Sequence, residues 1–447
     1  MRIKLAAIAK NEGIYLPQWI FHHYKFGIRN FEIWLNQTYD DSVEILNRIR
    51  ALPDIDIKIV MADELLEECR MHGSIFQLAA YNRILKETIA EKYDYLLFLD
   101  IDEFWTPKDL QTNLTTYLME YPQADAISFR WAFDLASKNQ TLTCLPSEAT
   151  QIQLNDHVKS IIKISERVQE SYIHNSMILE GIYLLEDGSQ FLEEYSIDSR
   201  AKILGLPKPI SVPEYFIFHA AYRSEKEYLA RLLRGRKHAN DQSVLKVNRG
   251  GYLSEPDSVI MNWELPDETR SAYKTQYRSF LENCNLHILL EPSKYVESQV
   301  EFLIDLLSKN RKLLEIHYTQ LRGIDFQPYA SKLGMTQTIK HEIDSVKVLA
   351  NGQIEINGWS YDWLYPKMQI SAQIKVGHDV LIVTKAFCIE RLDVVEGYSD
   401  APLECGFSIH VTPEKYPNLE NLQLLLFNDL NSKEIELRVS FDSNSRD

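Results

Sequence analysis

Short apolar runs alternate along the first part of the chain with longer stretches in which apolar residues recur every three or four positions. The runs IKLAAIA (3–9), FEIWLN (31–36), IDIKIVM (55–61) and YDYLLFLD (93–100) have the length and the β-branched or aromatic content of strands. Helical spacing fills three segments between them. These are NEGIYLPQWIFHHYKFG (11–27), stopped by Gly27; TYDDSVEILNRIRAL, with Ser42 or Asp41 as N-cap; and FQLAAYNRILKETIA (76–90). Strands alternating with helices predict an α/β fold, a mainly parallel sheet with helices on both faces. YDYLLFLD is apolar on both faces, which places it centrally.

After residue 290 the pattern changes. KYVESQVEFLIDLLSKNRKLLEIHYTQL (294–321) keeps helical spacing throughout and predicts one long amphipathic helix, followed by the polar stretch RGIDFQPYASKLGMTQT. From 343 on, alternating runs joined by Asn-Gly and Gly turns predict an antiparallel β-sandwich. The expected division is 1–290 for the α/β domain, 291–342 for the helix and linker, and 343–447 for the sandwich. Disorder is expected only at the tail SNSRD.

The apolar run YDYLLFLD opens into Asp100, Asp102 and Glu103, three carboxylates in four positions. If the backbone stays extended, Asp100 and Asp102 point to one side, and two such acids repel unless a cation lies between them. A divalent metal that also holds phosphate oxygens answers that repulsion; solvated acids at an exposed strand-to-loop junction are the alternative. Ligands of open α/β sheets gather at this carboxyl edge. The later run YFIFH (215–219) ends in His219, and Ser224-x-x-Glu227 forms a capping box that starts a helix. Arg223, Arg231, Arg234 and Arg236 make the densest basic patch; Arg223 is a candidate anion clamp, and a solvated helix face is the other reading of the rest.

Charge narrows the classes of partner. A formal net charge of −16 argues against nucleic acid, which needs clustered Lys and Arg. The five cysteines form no C-x-x-C pair and read as reduced thiols. MRIKLAAIAKNEG is too short an apolar run for a signal peptide, and no run of 18 apolar residues exists, so a cytoplasmic protein is expected, at most peripheral to a membrane. The three N-x-T sequons carry no weight without a secretion signal.

Lys10, Asn11, Glu12, Trp19, Ile20, His23, Gly27 and Phe31 together resemble the N-terminal signature of glycosyltransferase family 92 and its bacterial family 2-like relatives. FLDIDEF resembles the D-x-D-E-F motif of the same group, and VKSII (158–162) and FHAAYRSEKEYLARLLRGR (218–236) resemble its later motifs, so the likeness covers about residues 1 to 240. The chain departs from the pattern at Gln18, Ala220 and Arg223. The resemblance implies a GT-A fold, Mn2+ or Mg2+, a nucleotide-sugar donor and a glycan or glycolipid acceptor. Asp102 then is the direct metal ligand, Asp100 holds ribose or the metal, and His219, or else His174, completes the set. Donor contacts fall to Asn11, Glu12, Asn36, Asp40, Gln77, Asn82, Lys159 and Arg223.

An inverting transfer needs a carboxylate base, for which Asp134, Asp156 and Glu180 are candidates; Trp131 and Phe133 are either sugar-stacking or core. UDP-galactose is the first donor implied, and bacterial surface polysaccharide or lipopolysaccharide the acceptor class. I-x-G-W (356–359) and G-F (406–407) resemble β-sandwiches appended to sugar-modifying proteins, with a glycan-binding or a structural role. Three rivals stand beside this reading. A haloacid-dehalogenase-type phosphatase conflicts with Phe104 and with the late position of the motif, and a glycoside hydrolase needs no such motif. A glycan-binding scaffold with a decayed catalytic domain is the non-enzymatic alternative. Oligomeric state does not follow from the sequence.

Overall fold

The computed structural model describes residues 1–135, 150–191, 203, 209–233, 245–246, 249–252, 260–287, 291–310, 312–333, 338–349, 351–363, 370–376, 379–384, 389–398, 401–412, 422–427 and 432–437. Arg234, Arg236, the Asn139 sequon, Cys144, Cys388 and the SNSRD tail lie outside these residues. The chain divides into two compact units, Met1–Asn248 with Glu255–Glu301 and Arg249–Ser254 with Phe302–Asp447.

The first unit is mixed α/β. In chain order it comprises β1 (Ile3–Ala9), α1 (Leu16–Lys25), β2 (Asn30–Leu35), α2 (Ser42–Arg50), β3 (Asp56–Met61), α3 (Asp63–His72), α4 (Phe76–Ala90), β4 (Tyr95–Phe98), β5 (Glu103–Pro107), α5 (Leu114–Glu120) and β6 (Ala126–Asp134). There follow β7 (Thr150–Lys163), β8 (Val168–Ser171), β9 (Ser176–Ile178), β10 (Tyr183–Leu185), β11 (Tyr215–His219), α6 (Glu225–Leu232), β12 (Ile260–Trp263) and α7 (Asp267–Asn283). One sheet runs β3-β2-β1-β4-β7-β6-β11-β5, with β10 beside β6 and β12 beside β7. Only β5 and β7 run against the other strands, so the sheet is mainly parallel.

Alternation along the strands builds a core on each face. Leu5, Ala7 and Ala9 of β1 join Ile20 of α1, Leu46 of α2 and Phe280 of α7, whereas Ala6 joins Leu65 of α3 and Ile84 of α4.

Three boundaries differ from the sequence pattern. The first helix starts at Leu16 with Pro17 in its opening turn, because residues 11–15 fold into a turn in which the amides of Tyr15 and Leu16 both donate to the Glu12 carbonyl. The helix α3 was not read from the pattern. The fourth strand stops at Phe98.

In the second unit the expected single helix from 294 to 321 is broken. It becomes α8 (Pro292–Lys309), which begins in the first unit, then α9 (Lys312–Ile316) and α10 (Tyr318–Leu321). The break falls at Asn310, a residue whose side chain competes for backbone groups and favours turns. Beyond it lie β13 (Ile339–Val348), β14 (Ile354–Asp362), β15 (Ser371–Val376), β16 (Asp379–Thr384), β17 (Gly406–Val411), β18 (Leu422–Phe427) and β19 (Ser432–Glu436). The antiparallel sheets β13-β14-β17 and β16-β15-β18-β19 share one core, Ile354, Ile356 and Phe407 meeting Ile374, Leu424 and Leu426. The Gly of I-x-G-W is required there, since a Cβ on Gly358 would lie 2.3 Å from the Glu342 carbonyl oxygen. No helix among the described residues is long and apolar enough to cross a membrane.

Candidate active site at the carboxyl edge of the sheet

The strands β1, β2, β4, β6 and β11 all end at one edge, and the sequence motifs lie in the loops that leave it. Two of these loops are tied together. Asp40 accepts the Gly13 amide at 2.8 Å and both the amide and the hydroxyl of Ser42, at 3.1 and 2.5 Å. Asp41 holds the N-cap position of α2 but makes no side-chain cap. Asn11, at φ 51°, accepts the Tyr39 amide at 2.8 Å, and Asn36 closes β2 by donating its amide to the Ala9 carbonyl. Asn11, Glu12, Asn36 and Asp40 are therefore neighbours at one side of the edge.

The acidic motif is a turn and not extended backbone, which corrects the strand-alternation reading. The Glu103 amide donates to the Asp100 carbonyl at 2.9 Å, and the Asp100 amide donates to Glu103 Oε2 at 2.8 Å. The chain then reverses into β5, antiparallel to β11, with Glu103 opposite His219. The tight turn sends the acids to different partners. Asp100 is partly exposed and accepts no side-chain hydrogen bond among the described residues. Asp102 is 7% exposed; its Oδ2 pairs with the Arg231 guanidinium and lies 3.5 Å from His219 Nε2. Glu103 is fully buried, 3.2 Å from the ammonium of Lys159, itself 1% exposed on β7.

These charges act on one another. Burial, partly offset by Lys159, pushes the Glu103 carboxyl up to about 8, while Asp100 and Glu103 outweigh burial and keep Lys159 firmly charged. Glu103 Oε1 nevertheless has no hydrogen-bond partner among the described residues, and Lys159 Nζ meets only Glu103 Oε2. Arg231, a lone cation in the apolar run YLARLL, was readable only as part of a basic patch. The structure makes it the counter-charge of Asp102, and that unexpected Arg in an apolar face was the available signal.

Arg223 lies with its guanidinium 3.5 Å over the Tyr15 ring and donates to the Ile101 carbonyl at 3.3 Å. The N-terminus of α6 is closed by its own capping box, Ser224 with Glu227, as the sequence predicts, so Arg223 meets the acidic turn and not an open helix end.

Imidazoles wall the other side. The register of β6 on β7 jumps between Arg130, opposite Val158, and Trp131, opposite Asn155, so Asp156 and His157 bulge. The bulge stacks His157 on Trp131 at 5.0 Å; His174 and His219 meet the same indole at 5.3 and 4.5 Å. His174 gives Nδ1–H to the Val158 carbonyl at 2.9 Å, and burial, aided by Lys159, lowers it to about 4, so it is neutral at pH 7. Phe133 packs 5.0 Å from His219, and Asp134, buried, ends β6 at this edge.

Other candidates are placed elsewhere. Asn82 spends its amide on the backbone of Leu78 and Ser171, which fastens β8 to α4. Gln77 donates to the Tyr81 hydroxyl at 3.1 Å, and Tyr81 stacks on Phe98. Glu180 is exposed in the turn before β10, its carbonyl held by Arg167, which pairs with Asp125 at the opposite edge of the sheet. That distance from the acidic turn removes Glu180 as a base.

Among the described residues, no three His, Cys, Asp or Glu side chains converge as a metal-holding group. An all-protein metal cage is therefore not formed by them. The hard oxygen donors of Asp100 and Asp102 do suit Mg2+ or Mn2+ held by one or two carboxylates together with phosphate oxygens.

No family model matches the chain, and no curated protein does. Solved structures that the chain matches include the apo WbbM bifunctional glycosyltransferase, at 12% identity over 29% of this chain and 23% of that one, with a TM-score of 0.22. Residues 1–349 of S. aureus TarS match at 13% identity over 36% of this chain and 47% of that one, TM-score 0.22. S. aureus TarS matches at 10% over 100% of this chain and 79% of that one, TM-score 0.21. The matches to WbbM and to the TarS 1–349 structure thus span less than half of those chains. Identities and scores this low carry no activity over to this chain.

Proposed function

We propose that the α/β unit is a glycosyltransferase that moves a hexose from a nucleoside-diphosphate sugar to a glycan or glycolipid, with a divalent cation. The observation that carries the reading is the incompletely paired buried charge at the carboxyl edge, where Glu103 Oε1 has no hydrogen-bond partner among the described residues and the Lys159 ammonium meets only the other oxygen of Glu103, at 3.2 Å. Such groups are costly to leave unpaired unless a ligand completes them, and active sites are where they persist. The resemblance of the surrounding motifs to family 92 supplies the substrate class.

In this reading Asp100 and Asp102 would hold Mn2+ or Mg2+ together with phosphate oxygens of the donor, His219 would steady Asp102 from 3.5 Å, and the ion when bound would supply Lewis-acid stabilisation of the leaving diphosphate. Arg223 and Lys159 add fixed positive charge in a water-poor site, where it is worth most. Asn11, Glu12 and Asn36 face base and ribose. Asp134 takes the proton of the acceptor hydroxyl, giving inversion. UDP-galactose is the first donor to try, and surface polysaccharide or lipopolysaccharide synthesis at the cytoplasmic side of a membrane is the setting that fits it.

The test is thermal unfolding of the wild type and Asp100→Asn against UDP, GDP and CMP, with and without Mn2+, followed by hydrolysis of the matching nucleotide sugars. Asp100 is the better target than Asp102, whose loss strands Arg231. A ligand that binds only the folded state raises Tm by mass action. One nucleotide that stabilises the wild type with Mn2+ but not the variant supports the reading. No stabilisation by any of them sinks it and leaves a glycan-binding scaffold as the account of the fold.

A further inference from the structure

Trp19 is fully buried on α1 and does not face the cleft, yet its indole N–H reaches the acidic turn from behind. It donates to the carbonyls of both Asp100 and Glu103, each at 3.0 Å. These are the two ends of the turn, already joined by the Glu103 amide to the Asp100 carbonyl. One turn further along α1, His23 accepts the Trp105 amide at 3.2 Å on β5 and gives its other nitrogen to the Trp19 carbonyl at 2.8 Å. The helix thus holds both the turn and the strand that leaves it.

We propose that Trp19 is a positioning residue: its shared N–H bond fixes the peptide planes at Asp100 and Glu103, and through them the directions in which Asp100 and Asp102 present their carboxylates. The turn is also held by the Ala220 amide on the Asp102 carbonyl and by Arg223 on the Ile101 carbonyl, but Trp19 alone joins its two end carbonyls through one donor. Asp100 is partly exposed, and its side chain accepts no hydrogen bond among the described residues, so its aim is set by the backbone. Loss of the donor takes one hydrogen bond from each end carbonyl, leaving Asp100 with the Glu103 amide alone, and lets the turn sample other geometries. The catalytic consequence rests on the transferase reading; the bracing does not.

The experiment compares Trp19→Phe with Trp34→Phe in the full chain. Trp34 is also buried and also gives one indole N–H, at 2.9 Å, to Glu32 on its own strand β2, which β1 separates from β4, so it controls for the loss of a buried bond that does not touch the turn. Hydrogen exchange of the segment 96–105 and Mn2+-dependent hydrolysis of the nucleotide sugar are both read. Trp19→Phe is expected to speed exchange of that segment about tenfold and to lower kcat by a similar factor with KM within about twofold, whereas Trp34→Phe changes neither. If Trp19→Phe fails to fold, benzothienylalanine at position 19, which replaces the N–H by sulfur in the same shape, takes its place. Unchanged exchange in the segment overturns the inference. So does a kcat equal to that of Trp34→Phe. A wild type that hydrolyses no nucleotide sugar defeats the transferase reading alone, and exchange still decides whether Trp19 holds the turn.

Discussion

Two clusters of buried charge lie in the same sheet and are built differently. On β1 and β2, the Lys4 ammonium donates to Glu32 at 2.8 Å and to Glu91 at 2.7 Å. The other oxygen of Glu32 accepts the Trp34 indole at 2.9 Å and lies 3.3 Å from Lys58, which also pairs with Glu87. None of these polar atoms is left without a partner. At the carboxyl edge, Asp102 meets Arg231 and Glu103 meets Lys159 through Oε2 alone, at 3.2 Å, so that Glu103 Oε1 is left over. Similar residues at similar depth are thus saturated in one place and unsaturated in the other. The saturated cluster has the character of structure, and the unsaturated one that of a site waiting for a ligand.

The contrast can be broken most directly at Lys4. Lys4→Met strands Oε2 of Glu32, whose side chain is fully buried and keeps Trp34 and Lys58 on Oε1 only, and should cost about 3–5 kcal/mol in urea unfolding while leaving nucleotide binding intact in whatever molecules remain folded. Lys159→Met should cost less, about 1–3 kcal/mol, because Glu103 is already pushed up to about 8 and can relax by holding a proton. Its larger effect should be on the Tm rise given by nucleotide with Mn2+. Equal stability losses with unchanged ligand response would erase the distinction between the clusters.

A gentler test loads the wall behind the acidic turn. His22 gives Nε2–H to the Trp105 carbonyl and accepts from the Tyr273 hydroxyl through Nδ1, both at 2.8 Å, and burial lowers it to about 3. The folded value lies below the ordinary 6.5, so the unfolded chain binds the extra proton between them. Stability from His22 is therefore complete above pH 6.5 and falls as the pH drops from 6.5 toward 3. His22→Gln should flatten that part of the Tm profile; an unaltered slope would assign the acid loss to other groups. The smallest effect belongs to the exposed pair Arg48 and Glu44 on α2, 2.8 Å apart, where Glu44→Ala should cost no more than about 0.5 kcal/mol by the same unfolding assay.

Much of the fold was legible because it is local. Strand alternation, the Gly27 stop, the Ser224 and Glu227 box and the Asn-Gly turn at Gly352, φ 79°, each need only a few neighbouring residues. The site was legible by edge but not by partner. That Asp100, Asp102 and His219 gather follows from strands ending together, and Lys159 joins them from within β7, which runs back past that edge. That Asp102 meets Arg231, 129 residues away, follows from how α6 packs, which no local pattern states. The extended reading of Asp100 to Asp102 failed because β4 ends at Phe98 and Trp19 helps close a turn from another helix. His23, by contrast, could be named from its motif without its task being visible, since the Trp105 amide it accepts lies 82 residues on.

Lys58 stands on β3, the outermost strand at one end of the large sheet, whose far side has no neighbouring strand among the described residues. Its ammonium completes the ion pairs of Glu32 and Glu87 and stays 42% exposed. Open strand edges invite other chains to add to them, and a lysine there deters it. The charge that finishes an interior network thus also stands on an open edge, and a chain that replaced Lys58 by an apolar residue is expected to aggregate more readily, as light scattering would read, well before it lost its core.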